Sequence, residues 1–271
     1  MNVVSAQWLV EHLDDEEVVI IDCRFSLNDS NSGKQQYQQS HILGAYYLDL
    51  NSDLSSPVGE HGGRHPLPNL SELAIKLSIR GVNRQTLVVA YDDSRLGFAA
   101  RLWWLLRYMG HERVAVLDGG FAGWLSLSYP VTSEVKEPDI AAQNTIFTGH
   151  VKSNMVAHIN EVKNRKDLPG VVLVDSREKE RYLGIREPID KIAGHIEGAV
   201  NYPWQSVTDS SGYLLDVEQQ KQRWQDILDS QEIIVYCGSG VTACVNLLSL
   251  ELAGFHNALL YAGSWSDWIS Y

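Results

Sequence analysis

Short apolar runs along this chain alternate with longer stretches in which apolar residues recur every third or fourth position. The runs at 18–21, 87–91, 114–117, 172–174 and 233–236 are rich in Val and Ile and predict buried strands. Helical spacing follows several of them, over 98–109 and again after Val241, and a further helix starts near Ser71 and ends at Gly81 as its C-cap. Ser5 is placed to cap a short helix through Leu13. The stretch 51–68 is rich in Ser, Gly and Pro and reads as a loop carrying Arg64 and His65. Strands alternating with helices imply an α/β fold with parallel sheets flanked by helices.

The pattern occurs twice. Val172-Leu173-Val174-Asp175-Ser176-Arg177 answers Val19-Ile20-Ile21-Asp22-Cys23-Arg24, and His195-Ile196-Glu197-Gly198-Ala199 answers His41-Ile42-Leu43-Gly44-Ala45. Val235-Tyr236-Cys237 answers Ala90-Tyr91-Asp92, and Gly263-Ser264-Trp265 with Trp268 answers Gly119-Gly120-Phe121 with Trp124. Two tandem domains are therefore expected, 1–130 and 146–271, joined by a polar, proline-bearing linker over 131–145. Features shared by both halves build the fold, and features found in only one are candidates for chemistry. By that test His41 and His195 are structural, and the Asp22/Arg24 and Asp175/Arg177 pairs hold loops. Cys237 stands out, because the first half has Asp92 in its place and reads as non-catalytic.

Cys237 lies in a strand-to-helix turn, Cys237-Gly238-Ser239-Gly240-Val241-Thr242. Glycines at 238 and 240 let the backbone close around the sulfur, and N–H groups at the start of the following helix favour a thiolate there. A buried structural thiol is the alternative for any cysteine; it is the reading for Cys23, which replaces Ser176 in the repeat, and for Cys244, within the helix. Arg181 and Arg186 occupy a segment, 178–191, without a close counterpart in the first half, and are candidates to grip an anionic substrate, against the reading of a solvated charged loop. His65 reads as an exposed loop histidine, with a place at the cleft as the alternative.

Composition narrows the partners. A net charge of −12 and a pI near 5.1 argue against nucleic acid or an anionic membrane surface. Three cysteines without CxxC spacing indicate neither a disulfide framework nor a zinc site. The N-terminal residues are acidic, and no apolar run is long enough for a bilayer, so a cytoplasmic protein without metal or cofactor is expected.

The duplicated Asp-x-Arg, His-Ile-x-Gly-Ala and Gly-Gly-x-x-x-Trp marks, with one cysteine loop in the second half, resemble the two-domain rhodanese family of sulfurtransferases over essentially the whole chain. The resemblance implies that Cys237 accepts a sulfane sulfur as a persulfide and passes it to cyanide or a thiol, with a thioredoxin-like reductant among the possible partners. Within that family, thiosulfate enzymes carry a basic Cys-Arg-Lys-Gly-Val-Thr loop, and 3-mercaptopyruvate enzymes carry Cys-Gly-Ser-Gly-Val-Thr. Residues 237–242 match the second form, so Gly238, Ser239, Gly240, Val241 and Thr242 are expected to receive 3-mercaptopyruvate, with thiosulfate as the alternative donor and a non-catalytic sulfur carrier or regulatory module as the rival class. Arg181-Tyr182 matches the first of the family's two anion-binding arginine positions. At the second, Glu187-Pro188 is followed by Ile189 and Asp190, which leaves Arg186 or Lys191 to supply the contact. A cysteine phosphatase is disfavoured, because its loop needs an arginine six positions after the cysteine and Ala243 stands there.

Overall fold

The computed structural model describes residues 1–138, 147 and 150–271. The chain forms two compact units, Met1–Ser56 with Leu67–Lys152 and Ser210–Leu214, and Pro57–Pro66 with Ser153–Asp209 and Leu215–Tyr271. Each unit therefore includes a short piece from the other half of the sequence.

In the first unit the strands are β1 (Val3–Val4), β2 (Val18–Asp22), β3 (His41–Ile42), β4 (Tyr46–Tyr47), β5 (Leu87–Tyr91), β6 (Val114–Leu117) and β7 (Val131–Thr132). Five of them form a parallel sheet in the order β1-β6-β5-β2-β4. Its central strand, β5, is buried along its whole length, which is why it reads as an uninterrupted apolar run. Ser5 caps the first helix by accepting the Trp8 N–H, and Asn69 caps the helix Leu70–Ser78 by accepting from Ser71 and Glu72.

The second unit repeats the plan with β8 (Val171–Asp175), β9 (Val200–Asn201), β10 (Glu232–Tyr236) and β11 (Leu259–Leu260), all parallel, in the order β11-β10-β8-β9. A parallel bridge between Val156 and Leu260 stands where β1 pairs with β6 in the first unit. The register is also repeated: Asp22 lies beside Tyr91, and Asp175 beside Tyr236. Ile234, Tyr236, Leu173, Tyr261 and Trp265 form the core of the second unit under this sheet.

The residues expected to form a linker are structured at their start. Val131–Thr132 pairs antiparallel with β3, the Glu134 carbonyl lies 3.2 Å from Nε2 of His41, and the Lys136 N–H donates to the Tyr37 hydroxyl. Hydrogen bonds to β3 and to the His41 and Tyr37 side chains hold the start of this polar stretch. The remainder of the expected linker, 139–145, lies outside the described residues. Among the described residues no helix is long and apolar enough to cross a membrane.

Candidate active site

The shared residues serve the scaffold. Arg24 donates to Asp22 at 2.6 Å and to the Ser40 carbonyl, and Arg177 repeats this with Asp175 and the Gly194 carbonyl. All four are buried. Burial pushes the Asp22 carboxyl up, with Arg24 opposing the shift. Nδ1 of His41 sits 2.6 Å from the Tyr37 carbonyl, and Nδ1 of His195 sits 2.7 Å from that of Tyr182, so each histidine ties a loop to a helix end. Cys23 is buried, and desolvation drives its thiol well up, with the charges of Asp22, Asp92 and Asp53 acting in the same sense. Cys244 is fully buried in the helix Ala243–Leu252, with its sulfur 3.5 Å from the Gly240 carbonyl.

Strand β10 delivers Cys237 at its carboxyl end, where open parallel sheets place ligands. The loop that follows is laced to 263–266: the Cys237 N–H donates to Ser264 Oγ at 3.1 Å, the Cys237 carbonyl accepts from Trp265, and the Gly238 carbonyl accepts from Ser266. Gly240 has φ +75°, and a Cβ there would lie 2.2 Å from the Ala262 carbonyl oxygen, so only glycine fits. Val241 is buried and Thr242 half-buried at the start of the helix.

In the first unit the corresponding loop, which follows a different path, closes on a carboxylate. The Asp92 carboxylate, in place of the thiol, accepts four backbone N–H groups, from Ser94, Leu96, Phe98 and Ala99, at 2.8 to 3.0 Å. Burial pushes its carboxyl up, and those hydrogen bonds pull it back.

Two arginines crowd Gly238. A Cβ on that residue would lie 2.9 Å from Nη2 of Arg64 and 3.4 Å from Nη2 of Arg181. Arg181 stands where the sequence placed a charge, but Arg64 arrives from Pro57–Pro66, a segment anchored in this unit by the Gly62 N–H on Asp267 and the Arg64 N–H on Ser266 Oγ. Burial holds the Arg64 guanidinium below its ordinary value, and the Cys237 sulfur, when ionised, opposes that shift. Next to Arg64, His65 is buried rather than exposed, and its Nδ1 lies 2.8 Å from Ser239 Oγ. The expectation of an exposed loop histidine is overturned here: the loop folds onto the cysteine turn and takes the ring with it.

An ion network runs behind these arginines. Asp190 bridges Arg64 and Arg181, at 3.0 Å on the Arg181 side; Glu187 bridges Arg181 at 2.8 Å and Arg177 at 3.3 Å. Arg186 is not brought into it. Its side chain is 56% exposed and pairs with Glu178 and Glu180, the solvated charged loop that was its alternative reading. Lys191 is exposed as well. Sequence reasoning missed Arg64, His65, Glu187 and Asp190 as members of this cluster; the one signal for the first two was a Gly-Gly-Arg-His-Pro stretch with no partner in the second half.

Known proteins resemble this chain over nearly its whole length. The rhodanese-like domain family matches residues 5–127 and 158–271. A probable 3-mercaptopyruvate sulfurtransferase of Pseudomonas aeruginosa is 41% identical over 277 residues, covering 99% of this chain and 95% of that relative. A thiosulfate sulfurtransferase of Rattus norvegicus is 32% identical, covering 98% and 91%. Among solved structures, an Escherichia coli 3-mercaptopyruvate sulfotransferase superposes with a TM-score of 0.81 at 32% identity, over 97% of this chain and 98% of that one. The 3-mercaptopyruvate sulfurtransferase of Leishmania major gives a TM-score of 0.83 at 29% identity, over 98% and 74%. The chain belongs to the rhodanese family and carries two rhodanese-like domains in tandem. It is an enzyme, a sulfurtransferase that takes a sulfur donor and a thiol or cyanide acceptor.

Proposed function

We propose that Cys237 carries the transferred sulfur and that 3-mercaptopyruvate is the preferred donor, its carboxylate held by Arg181 and Arg64. The observation behind this reading is the pair of guanidiniums against Gly238, one residue from the sulfur, around a loop that itself carries no charge. Arg64 takes the second anion contact that the sequence left to Arg186 or Lys191. Two guanidiniums suit a carboxylate, to which they donate in pairs.

In the first step the Cys237 thiolate attacks the donor's sulfur. The carbon–sulfur bond breaks, and its electron pair leaves on carbon as the enolate of pyruvate, which takes up a proton. Ser239, two residues after Cys237 and hydrogen-bonded to His65, is the group assigned to deliver that proton. An acceptor thiolate then attacks the outer sulfur of the persulfide, the sulfur–sulfur bond breaks, and its electron pair returns to Cys237. Glycines and a hydroxyl lining the turn leave room for the second thiol, and a thioredoxin-like reductant is one acceptor class. The three cysteines are all free thiols, which fits a reducing cytoplasm.

Steady-state assays with 3-mercaptopyruvate and with thiosulfate, each with cyanide and with a small thiol, test the donor assignment. A higher kcat/KM with 3-mercaptopyruvate is expected. A higher value with thiosulfate would contradict the donor assignment and leave the role of Cys237 standing.

A further inference from the structure

The buried carboxylate of Asp190 has no place in the sulfur-transfer steps above, yet it sits against both arginines assigned to the donor. Its side chain is 3% exposed, and its two oxygens are divided between them, Oδ1 on Arg64 and Oδ2 on Arg181. These are the guanidiniums that close on Gly238. The other two carboxylates of the network have different duties: Asp175 is committed to Arg177, and Glu187 links Arg177 with Arg181. Asp190 thus makes the interaction that a donor carboxylate would need to make.

We infer that Asp190 is an internal stand-in for the donor's anionic end, which an incoming donor displaces from the Arg64–Arg181 pair, and that it thereby sets which donor charge the site accepts. The inference deepens the reading above and rests on its assignment of Arg64 and Arg181 to the donor.

Charge decides the second part of the claim. Leaving aside Cys237, which the test below replaces by serine, Arg64, Arg177 and Arg181 face Asp175, Glu187 and Asp190, so three positive charges meet three negative and these side chains sum to zero while Asp190 stays in place. A neutral cluster offers a dianion such as thiosulfate little more than it offers a monoanion, and it charges both for displacing the resident carboxylate. Without the Asp190 charge the cluster carries +1, and Coulomb attraction then grows with the charge of the donor.

The backbone around Asp190 is held, with the Ile189 and Asp190 N–H groups on Glu187 and the Ile192 carbonyl accepting from Trp265 Nε1, so displacement is a rotation of the side chain alone. Asp190 lies in a segment without helix or strand, between Lys179–Tyr182 and β9. Gly184, at φ +70°, and Gly194, at φ +118°, bracket it, and a Cβ on Gly184 would lie 3.3 Å from the Gly194 nitrogen, so the ends of the segment are held close together. Ile189 and Ile192 in between are exposed. Beside the Arg64–Asp190 contact is a cavity of about 290 Å³, lined by Lys191 and Glu60 among others, which gives the displaced side chain room to turn into.

A resident competitor scales apparent affinity down to the fraction of time that it leaves the site free, so its removal lowers KM with little change in kcat. For Asp190→Asn the expected fall is about threefold or more with 3-mercaptopyruvate and about tenfold or more with thiosulfate. A residue that merely positions the two arginines would have the opposite effect, since its loss would raise KM for both donors.

The test is made on anion binding, so that it does not depend on chemistry at Cys237. In a Cys237→Ser protein, with and without Asp190→Asn, the affinities of pyruvate, an unreactive monoanion, and of sulfate, an unreactive dianion, are measured by titration calorimetry. Tighter binding of both in the Asp190→Asn protein, with the larger gain for sulfate, is the expected result. Unchanged or weaker binding overturns the inference. Asp190→Ser serves as a second variant, and loss of the fold in both would make Asp190 a structural bridge and overturn it equally. If the unaltered enzyme showed no turnover with either donor, the reading of the site would fail while the effect of Asp190 on anion affinity could still be read.

Discussion

The guanidiniums of Arg64 and Arg181 lie beside Gly238, so the positive charge at this part of the loop comes from outside it. A charge-assisted hydrogen bond contributes about 1.5 to 3 kcal/mol, so Arg64→Ala and Arg181→Ala should each lower kcat/KM by roughly ten- to a hundredfold in donor steady-state assays. Arg186→Ala should stay near the unaltered enzyme, since its partners Glu178 and Glu180 are themselves exposed. A loss with Arg186→Ala equal to that with Arg64→Ala would restore the assignment made from sequence. Cys237 and Arg181 could be singled out as candidates because both belong to the half that departs from its repeat. Arg64 and His65 could not: His65 and Ser239 are 174 residues apart in the chain, and no local period links a loop to a distant turn.

At the level of elements, the strand runs were readable to the residue where burial is complete. The strands Leu87–Tyr91 and Val114–Leu117 coincide with their apolar runs because both faces of a parallel strand are covered, leaving no polar alternation to blur the ends. The loops are where the two halves diverge. After β5, four N–H groups close on the Asp92 carboxylate, and Arg95 and Leu96 both adopt positive φ. After β10, one positive φ, at Gly240, completes a shorter turn. An Asp92→Cys change in a Cys237→Ser protein should therefore leave sulfur transfer at background, because the first loop has a different path and, in the sequence that follows it, no Gly-Ser-Gly. Strong rescue of turnover would mean that the difference between the loops is immaterial.

Across the whole molecule, the duplication carried most of the information. It gave the shared Asp/Arg anchors and the contrast between Asp92 and Cys237, while the repeated strand order, β6-β5-β2-β4 and β11-β10-β8-β9, came only with the structure. It could not reveal that Pro57–Pro66 belongs with the second unit, because segment exchange leaves no periodic trace in a loop of Gly, Pro and polar residues. Replacing residues 59–65 of the full chain by Gly and Ser should lower kcat/KM for the donor at least as far as Arg64→Ala does; unchanged kinetics would show that this segment has no part in the site. The central claim, that one cysteine carries the sulfur, is tested most directly by the intact mass of the protein after exposure to donor without acceptor. The unaltered protein, Cys23→Ser and Cys244→Ser should each gain one sulfur atom, and Cys237→Ser should gain none. A Cys237→Ser protein that takes up the sulfur, or turns over normally, would contradict the account.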